Sequence, residues 1–366
     1  MNVLWINHRD PKHPLAGGAE VRIHEIGKRL VENNHSVKLV CERWPGLKKI
    51  DYLDGIEIER TANKYLIHMK VPILLNRHSY DVVIDDTAHA IPWESQFFTN
   101  KRVIAQVSHV HQKVLKFELS PILANMIAKS ERSLKYYKDI IAVSCSTKNV
   151  LIQELGVPKN RIKIIKNGVD TAHYKPSSKA CMPTILWVGR IKRYKRIDHV
   201  LLAFALVTKQ IPDAKLIIVG TGDYLETVKK IAANLHFSNV FFTGAIEEKE
   251  KVAMMASSWV TVSSSLTEGW GMTITESAAC GTPAVAYDVA GLRDSIRNDV
   301  TGLLVSDGNV VALSQALIRV LQDEQLRTML SCNALHCASK ECSWDEVAKE
   351  FTDYLESTSK DDNHCN

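Results

Sequence analysis

This sequence of 366 residues lacks the features that mark disulfide-bonded, zinc-binding and membrane-spanning proteins. None of its eight cysteines forms a Cys-x-x-Cys pair, and Cys332, Cys337 and Cys342 recur every five residues, which fits neither a zinc knuckle nor one helix face. No apolar run approaches the roughly twenty residues that span a bilayer, and the charged start, MNVLWINHRD, is unlike a signal peptide. We therefore predict reduced thiols in a cytoplasmic protein.

Two chemical signatures are also missing. No two aspartates are separated by one residue, so the chain has no Asp-x-Asp pair of the kind that carries Mg²⁺ with a diphosphate. The sequence comes near a dinucleotide fingerprint at Gly220-Thr-Gly222, but Leu225 stands in the third glycine position. That departure argues against a nicotinamide cofactor.

The charge of the chain is mild overall and uneven locally. There are 46 basic and 41 acidic residues, a net charge of +5, which does not argue for a nucleic-acid partner. Between residues 101 and 138, however, eight lysines and arginines face only two acids. This excess is typical either of a surface that meets anionic lipid head groups or of an ordinary solvated face, and the sequence leaves both open.

Strand and helix patterns alternate along the chain. VLWIN (3–7) and ILWVG (185–189) are short apolar runs typical of parallel strands buried on both faces, and each leads through a polar loop into a helical pattern. Further candidate strands cover 36–41, 81–86, 102–107, 140–144, 215–220, 240–244, 259–263 and 283–288. The alternation predicts parallel sheets covered by helices, which is a doubly wound α/β fold.

The segment IKNGVDTAHYKPSSKACMPT, rich in glycine, proline and small polar residues, is typical of a linker. It predicts a first Rossmann-like domain over 1–170 and a second over 171–344. Two such domains would face each other across a cleft at the carboxyl ends of their strands, where these folds bind ligands. The polar residues 359–366 are expected to be frayed.

Basic residues follow the strand at 185–189. Arg190 offers a planar fork of donors and Lys195 a point charge, a combination suited to a diphosphate. Because Lys192, Arg193 and Arg196 lie in the same loop, a solvated basic loop is the alternative.

The stretch TEGWGMTITESAACG combines acids with a glycine-rich turn. Gly269 and Gly271 would let backbone amides approach a ligand, and a helix that starts near Thr273 would direct its dipole toward phosphate. Glu268, in the loop, could accept hydrogen bonds from sugar hydroxyls, and Glu276, placed in the first helical turn, could hold a ribose diol. The alternative is that the acids only complement the helix dipole.

Two further candidates follow strands of the first half. Gly17 and Gly18, in AGGAE, form a second glycine-rich turn between a strand and a helix. His109 and His111, in VSHVHQK, lie two residues apart after a strand, so both could reach the same side. Contact with a ligand hydroxyl is favoured over a metal site, since no third metal ligand is evident.

The assembled motifs resemble the retaining glycosyltransferases of family 4, which have the GT-B fold. They fall in the family's order over nearly the whole chain: GGAE (17–20), NGVD (167–170), VGRIKRYK (188–195), VGTGD (219–223), EGWGMTITESAACGTPAVA (268–286) and TGLLV (301–305). The specific element is E-x7-E, formed by Glu268 and Glu276. The segment at about 345–358 resembles the family's terminal helix, which often packs back on the first domain.

The resemblance implies a role for each candidate. Arg190 and Lys195 would clamp the donor diphosphate, Glu268 would bind the transferred sugar and Glu276 the ribose. The expected catalytic residues are His109, Arg190, Lys195 and Glu268, and the expected donor-binding residues are Gly17, Gly18, Gly189, Gly269, Gly271, Met272, Thr273 and Glu276. His111 is the candidate on the acceptor side. The chain departs from the family in having Trp270 where phenylalanine is usual, and one alignment puts Ser108 at the position of the cleft histidine.

The resemblance predicts an enzyme that moves a hexosyl unit from a UDP- or GDP-sugar to a hydroxyl acceptor, without a cofactor or metal. The acceptor would be a glycan, a lipid-linked sugar or another hydroxyl compound, and no nucleic-acid partner is expected. The protein would be cytoplasmic, or peripheral on the inner face of an anionic membrane. The alternatives are a nucleotide-sugar epimerase and a non-catalytic nucleotide-sugar-binding subunit with the same fold.

Overall fold

The computed structural model describes residues 1–64, 66–88 and 91–357, apart from the side chains of Lys113 and Glu118. The predicted frayed tail at 359–366 lies outside the described residues. The chain separates into two compact units. Unit 1 contains Met1–Asn167 and the segment from Trp344 onward, and unit 2 contains Gly168–Ser343.

The described part of unit 1 is built on an eight-stranded sheet in the order β3-β4-β2-β1-β5-β6-β7-β8. Its strands are β1 (Asn2–Ile6), β2 (Ser36–Glu42), β3 (Ile50–Leu53), β4 (Ile56–Ala62), β5 (Val82–Asp86), β6 (Arg102–Val107), β7 (Asp139–Ala142) and β8 (Ile162–Ile164). Neighbouring strands are parallel except β3, which pairs antiparallel to β4. The helices between them are α1 (Gly18–Glu32), α2 (Val71–Arg77), α3 (Gln112–Glu118), α4 (Pro121–Ser130) and α5 (Cys145–Gln153).

The described part of unit 2 contains a parallel six-stranded sheet in the order β11-β10-β9-β12-β13-β14. Its strands are β9 (Thr184–Val188), β10 (Lys215–Val219), β11 (Val240–Gly244), β12 (Val260–Ser263), β13 (Ala284–Tyr287) and β14 (Gly302–Val305). Its helices are α6 (Ile197–Val207), α7 (Leu225–Asn234), α8 (Glu248–Ser257), α9 (Met272–Ala279), α10 (Leu292–Ser295), α11 (Val310–Gln322) and α12 (Glu324–Glu341).

The central strands are buried because their residues are apolar on both faces, as parallel sheets between helix layers require. In β1, for example, Trp5 and Ile6 have no exposed surface. The last helix, α13 (Trp344–Ser357), belongs to unit 1, where Phe351 stacks on Trp5 with ring centroids 5.6 Å apart. Two parallel-sheet α/β units confirm the fold class predicted from the alternation of strands and helices.

Both sheets contain a point at which the strand order reverses. In unit 1 it lies between β1 and β5, and in unit 2 between β9 and β12. In doubly wound sheets the loops that leave such a pair of strands diverge, and the crevice between them is where ligands bind. A ligand site in unit 2 is therefore expected between the loops after β9 and β12.

No helix within the described ranges combines the length and the apolar character that crossing a bilayer requires. The seven cysteines that the structure describes are all free thiols.

Candidate active site

The two loops at the reversal point of unit 2 are fastened to each other. A 3₁₀ helix, Arg193–Lys195, follows β9, and the loop after β12 lies against it. The Ser264 hydroxyl donates to the carbonyl oxygen of Lys195 over 2.8 Å, and the Leu266 amide donates to that of Tyr194 over 2.9 Å. These bonds fix the backbone from which Lys195 projects.

Lys195 forms an ion pair with Glu268, the first glutamate of E-x7-E. The two side chains are only 17% and 18% exposed, and the Ser265 hydroxyl donates to the same carboxylate oxygen over 2.6 Å. Burial alone would lower the pKa of the Lys195 ammonium, but the Glu268 carboxylate together with Tyr194 outweighs it and raises that pKa above its usual value. Lys195 therefore stays charged at neutral pH.

Arg190 contrasts with Lys195. It follows Gly189 directly after β9 and is exposed. Within the part of the chain that the structure describes, its guanidinium makes no ion pair, although it lies close enough to lower the pKa of Lys195. Two of the cations of this loop, an exposed guanidinium and a largely buried ammonium, therefore lie close to each other.

The backbone of Glu268 is held by the loop that follows β13. The Glu268 amide donates to the carbonyl oxygen of Ala290 over 2.9 Å. Gly291 packs so closely that a Cβ atom added there would lie 2.4 Å from the carbonyl oxygen of Glu268. Because real Cβ contacts are never that short, this position requires glycine. The sequence analysis did not single out Gly291.

The glycine-rich turn leads directly into a helix. Gly269 is half-buried, and Gly271, in a left-handed conformation with φ +89°, immediately precedes α9. The helix begins at Met272, slightly before the predicted start near Thr273, so both residues lie in its first turn with half-buried side chains. Their amides are among those a helix leaves unpaired at its N-terminus.

Trp270, the departure from the family pattern, is a core residue. Its ring is 4% exposed, and its indole N–H donates to the Thr275 hydroxyl over 2.8 Å. The larger ring is therefore accommodated inside the turn with its one polar atom satisfied.

Glu276 is the fifth residue of α9, so the predicted placement in the first helical turn is wrong: it lies in the second turn. It is 9% exposed and meets Lys251 of α8, whose ammonium lies 3.2 Å from Oε2. Lys251 also pairs with Glu248 at 2.8 Å. The Tyr174 hydroxyl donates to Glu248 and lies beside Glu276.

The charges of this cluster shift one another. Burial raises the pKa of Glu276, and the Glu248 carboxylate adds to this, while Lys251 and Tyr174 oppose it. For Lys251, burial lowers the pKa but the two carboxylates outweigh it, so its pKa is raised. Lys251 therefore supplies the positive charge that opposes the rise in the pKa of Glu276.

The sequence analysis missed Tyr174, Glu248 and Lys251. The spacing of Glu248 and Lys251 on one helix face was a signal for an ion pair, but not for its contact with Glu276. Tyr174 lies in the segment interpreted as a linker, where nothing marked it.

In unit 1, Gly17 and Gly18 lie where β1 passes into α1. Gly18 is the first residue of α1, and the Gly17 amide donates to Glu20 over 2.7 Å. The loop before them is anchored by Asp10 and Arg60, which are fully buried and joined by two hydrogen bonds of 2.7 and 2.8 Å. The turn is thus rigidly placed at the carboxyl end of β1.

His109 and His111 lie together after β6, with ring centroids 5.0 Å apart. The buried carboxylate of Glu131 accepts from the His111 amide over 2.7 Å and lies 3.2 Å from its ring Nδ1. His111 therefore ties the start of α3 to a 3₁₀ helix, Glu131–Tyr136. Among the described residues no three or more histidine, cysteine or acidic side chains are grouped so as to hold a metal ion.

The structure brings Lys195 and Glu268 into direct contact at the reversal point, with Arg190 and the start of α9 on the adjoining backbone. Glu276 lies one helical turn further, in its own cluster. The glycine turn at Gly17 and the two histidines belong to unit 1.

Comparison with known proteins assigns both halves of the chain. A family model described as Glycosyltransferase Family 4 matches residues 16–173, and one described as Glycosyl transferases group 1 matches residues 170–336. The chain is 23% identical over 385 residues to the GDP-mannose-dependent alpha-(1-6)-phosphatidylinositol monomannoside mannosyltransferase of Mycobacterium tuberculosis, with 96% of this chain and 97% of the relative covered.

Two solved structures share the fold. A sucrose-phosphate synthase from Thermosynechococcus elongatus superposes with a TM-score of 0.81 at 20% identity, covering 98% of this chain and 99% of that one. Anabaena HepE in complex with UDP-glucose superposes with a TM-score of 0.78 at 19% identity, covering 98% of this chain and all of that one (100%). With both halves matched in this order, the chain belongs to glycosyltransferase family 4, and its two α/β units have the GT-B type of fold.

Proposed function

We propose that this protein transfers a hexosyl unit from a nucleotide sugar to a hydroxyl group of an acceptor, with retention of the anomeric configuration. The observation that carries the proposal is the pair of Lys195 and Glu268 at the reversal point of the unit 2 sheet. It sets a buried cation and a carboxylate side by side, next to a helix N-terminus. A nucleotide sugar needs such an arrangement, since its diphosphate is anionic and its sugar carries hydroxyl groups.

The leaving nucleotide develops negative charge on its diphosphate. Fixed cations and helix amides can stabilise that charge without a metal ion. In this chain Arg190 and Lys195 supply the cations, and the amides from Gly271 to Thr273 supply the helix end. We therefore propose a metal-independent reaction.

The two glutamates divide the rest of the donor between them. Glu268 accepts from the hydroxyls of the transferred sugar, and Glu276 accepts from the ribose. Binding of UDP-glucose by HepE and use of GDP-mannose by the mycobacterial relative support a UDP- or GDP-sugar as donor. The free thiols support a cytoplasmic location, where a UDP- or GDP-sugar would be at hand.

Retention without a covalent intermediate follows from the carboxylates at hand. Glu268 is engaged by Lys195 and Ser265, so it is not placed as a free nucleophile. We therefore propose that the nucleotide leaves and the acceptor attacks on the same face of the sugar ring, in one ion-pair-like step. His109 is the proposed catalytic histidine, in contact with a hydroxyl of the bound ligand, and His111 is the proposed residue on the acceptor side.

The experiment offers UDP-glucose, GDP-mannose and ADP-glucose with simple hydroxyl acceptors, with and without EDTA, and follows the anomeric proton of the product by NMR. We expect an α-linked product from an α-linked donor and activity that survives EDTA. A β-linked product would disprove retention, and activity that Mg²⁺ restores after EDTA would disprove the metal-free clamp. Donor isomerisation without transfer would identify an epimerase, and donor binding without turnover a non-catalytic subunit.

A further inference from the structure

Large apolar side chains are exposed over one stretch of unit 1. Of the exposed large apolar residues among those described, ten fall between residues 66 and 136. They include the most exposed ones, Ile122 at 78% and Met69 at 75%. The full set is Leu66, Met69, Ile73, Phe97, Phe98, Phe117, Ile122, Leu123, Met126 and Tyr136. Exposed apolar residues that lie together mark interaction sites.

These residues belong to elements that pack against one another. Helix α2 contacts the 3₁₀ helix Ser95–Phe97, and α4 contacts both α3 and the 3₁₀ helix Glu131–Tyr136. The rings of Phe97 and Tyr136 join the two groups, with centroids 6.1 Å apart in an edge-to-face contact. The exposed residues therefore lie on one connected group of elements, and we call this region the apolar–basic face.

Helix α4 buries one side and leaves large apolar side chains on the opposite side in solvent. In α4, Ala124 packs with Leu115 of α3 in a small core, while Ile122 and Met126, one turn apart, point outward. Ordinary surface helices place polar residues on the outer side. The apolar outer side of α4 therefore calls for a partner.

Basic residues surround the apolar ones. Lys116, Lys129, Arg132, Lys135 and Lys138 are all exposed. The ammonium of Lys135 lies 5.1 Å from the ring centroid of Tyr136, and that of Lys116 lies 5.3 Å from the ring centroid of Phe117. Cations are thus placed directly beside exposed aromatic rings.

The acidic side chains that the structure describes between residues 66 and 136 are fewer at the surface than these cations. Asp85, Asp86 and Glu131 are buried, Glu94 is half-buried, and Asp81 is exposed. The face therefore combines a positive charge with exposed isoleucine, leucine, methionine and aromatic side chains.

We propose that the apolar–basic face docks on an anionic lipid bilayer, with its apolar side chains in the boundary between head groups and acyl chains and its cations on lipid phosphates. Interfacial helices combine lysine and arginine with large apolar residues in this way. A protein interface is favoured less, because lysine is depleted in protein–protein interfaces.

The proposal rests on the proposed transferase function for its consequence and adds a substrate class to it. A transferase held at a bilayer by the unit that also carries His109 meets acceptors that are confined to that bilayer. We infer that the acceptor is a lipid-linked hydroxyl compound.

The test is flotation of the full chain with vesicles of phosphatidylcholine alone or in equal mixture with phosphatidylglycerol. We expect binding to the mixed vesicles and little to the neutral ones. Each lysine or arginine near an anionic surface contributes a factor of about five. The variant K129Q/R132Q/K135Q should therefore lose about 100-fold in partitioning, and I122S/M126S at least about tenfold.

Matched controls come from exposed residues of unit 2. K230Q/K249Q/K340Q removes the same charge, and V311S/M329S removes apolar side chains that are 55% and 45% exposed. Neither should change the binding. Raising salt from about 0.1 M to about 1 M shortens the Debye length from about 10 Å to 3 Å and should release the protein.

Several outcomes would overturn the docking proposal: equal binding to both vesicle types, binding to neither, equal losses in the control variants, or a dimer that I122S/M126S dissociates. The donor-binding site is tested separately, by measuring the shift in unfolding temperature that UDP-glucose or GDP-mannose produces, since a bound ligand stabilises the native state. If vesicle binding fails while that shift persists, docking is wrong and the transferase proposal stands. If neither donor shifts the unfolding temperature while vesicle binding persists, the transferase proposal is wrong and docking on the bilayer stands.

Discussion

At the scale of single residues, each glutamate of E-x7-E is paired with a lysine from another part of unit 2. Glu268 meets Lys195, and Glu276 meets Lys251. Burying most of a carboxylate lowers the stability of the folded state unless a cation or hydrogen bonds compensate the lost hydration. The lysines therefore compensate the two largely buried carboxylates, and Lys195 lies close to Arg190.

The first prediction separates the roles of Arg190 and Lys195, two of the cations in the loop after β9. Arg190→Ala should raise the donor KM at least about tenfold, because it removes charge-assisted bonds to the diphosphate, and leave stability unchanged, because Arg190 is exposed. Lys195→Met should also lower the free energy of unfolding by roughly 1–3 kcal/mol, since Glu268 loses its partner. Steady-state kinetics measure the donor KM and urea unfolding measures the free energy of unfolding. Unchanged kinetics in the two variants would show that Arg190 and Lys195 do not belong to the site.

The second prediction concerns pH. Lys251→Met removes a group that lowers the pKa of Glu276, so that pKa should rise further. Protonated Glu276 holds ribose hydroxyls less well, so as pH falls the donor KM of the variant should begin to increase at a higher pH than the donor KM of the unmodified protein. Lys249→Met, an exposed change on the same helix, is the control. Parallel pH profiles for both variants would contradict the role of Lys251.

The third prediction ranks the histidines. His109→Ala should lower kcat about 100-fold or more if the ring contacts a hydroxyl of the bound ligand. His111→Ala should be milder in turnover and should lower the free energy of unfolding by roughly 1–3 kcal/mol, because the buried Glu131 loses a partner. Kinetics and urea unfolding of both variants decide the ranking. A larger loss of turnover in His111→Ala, with folding intact, would transfer the role to His111.

At the scale of elements, the site depends on loops that hold one another. The loop after β13 holds the loop after β12 through Ala290 and Gly291. The loop after β12 is also hydrogen-bonded to the loop after β9. The carboxylate of Glu268 is therefore positioned by three strand ends rather than by its own turn alone.

The fourth prediction tests this support with two glycines of similar backbone conformation. Gly291 has φ +80° and Gly308 has φ +75°, so replacement by alanine strains both similarly, but a Cβ atom at Gly308 meets nothing within 4 Å. Gly291→Ala should displace Glu268 and raise the donor KM at least about tenfold, whereas Gly308→Ala should cost about 1 kcal/mol of stability and leave KM unchanged. An equal effect of both on KM would show that loop contact is unimportant.

At the scale of the whole molecule, the chain consists of two units with separate sheets. The proposed donor contacts of unit 2 follow the carboxyl ends of its middle strands, β9 and β12. A ligand that binds only the native state stabilises it, by about 2.7 kcal/mol at 100 times its Kd. Local contacts also suppress opening of the segments they touch.

The fifth prediction follows from this placement. Saturating UDP or GDP should slow amide hydrogen exchange in the loops after β9 and β12 and in the first turn of α9. The outer helix α4 of unit 1 should exchange at an unchanged rate. Protection confined to unit 1 would place the donor elsewhere.

Much of this organisation could be predicted from the sequence, because it depends on local pattern. Short apolar runs separated by helical periods fix parallel strands and their order along the chain. The glycines between Glu268 and Glu276 predicted the turn and the helix that follows it, since turn geometry and helix start depend on neighbouring residues, and donor binding by this loop stays a prediction.

Only the tertiary structure decided which side chains meet. The pairing of Glu276 with Lys251 and Tyr174, the support of Glu268 by Gly291, and the tie between His111 and Glu131 join residues far apart in the chain. The outward side of α4 was equally hidden, because an apolar residue in a helix is buried or exposed according to what packs against it. Such contacts depend on how helices and strands pack, and sequence spacing carries no record of that packing.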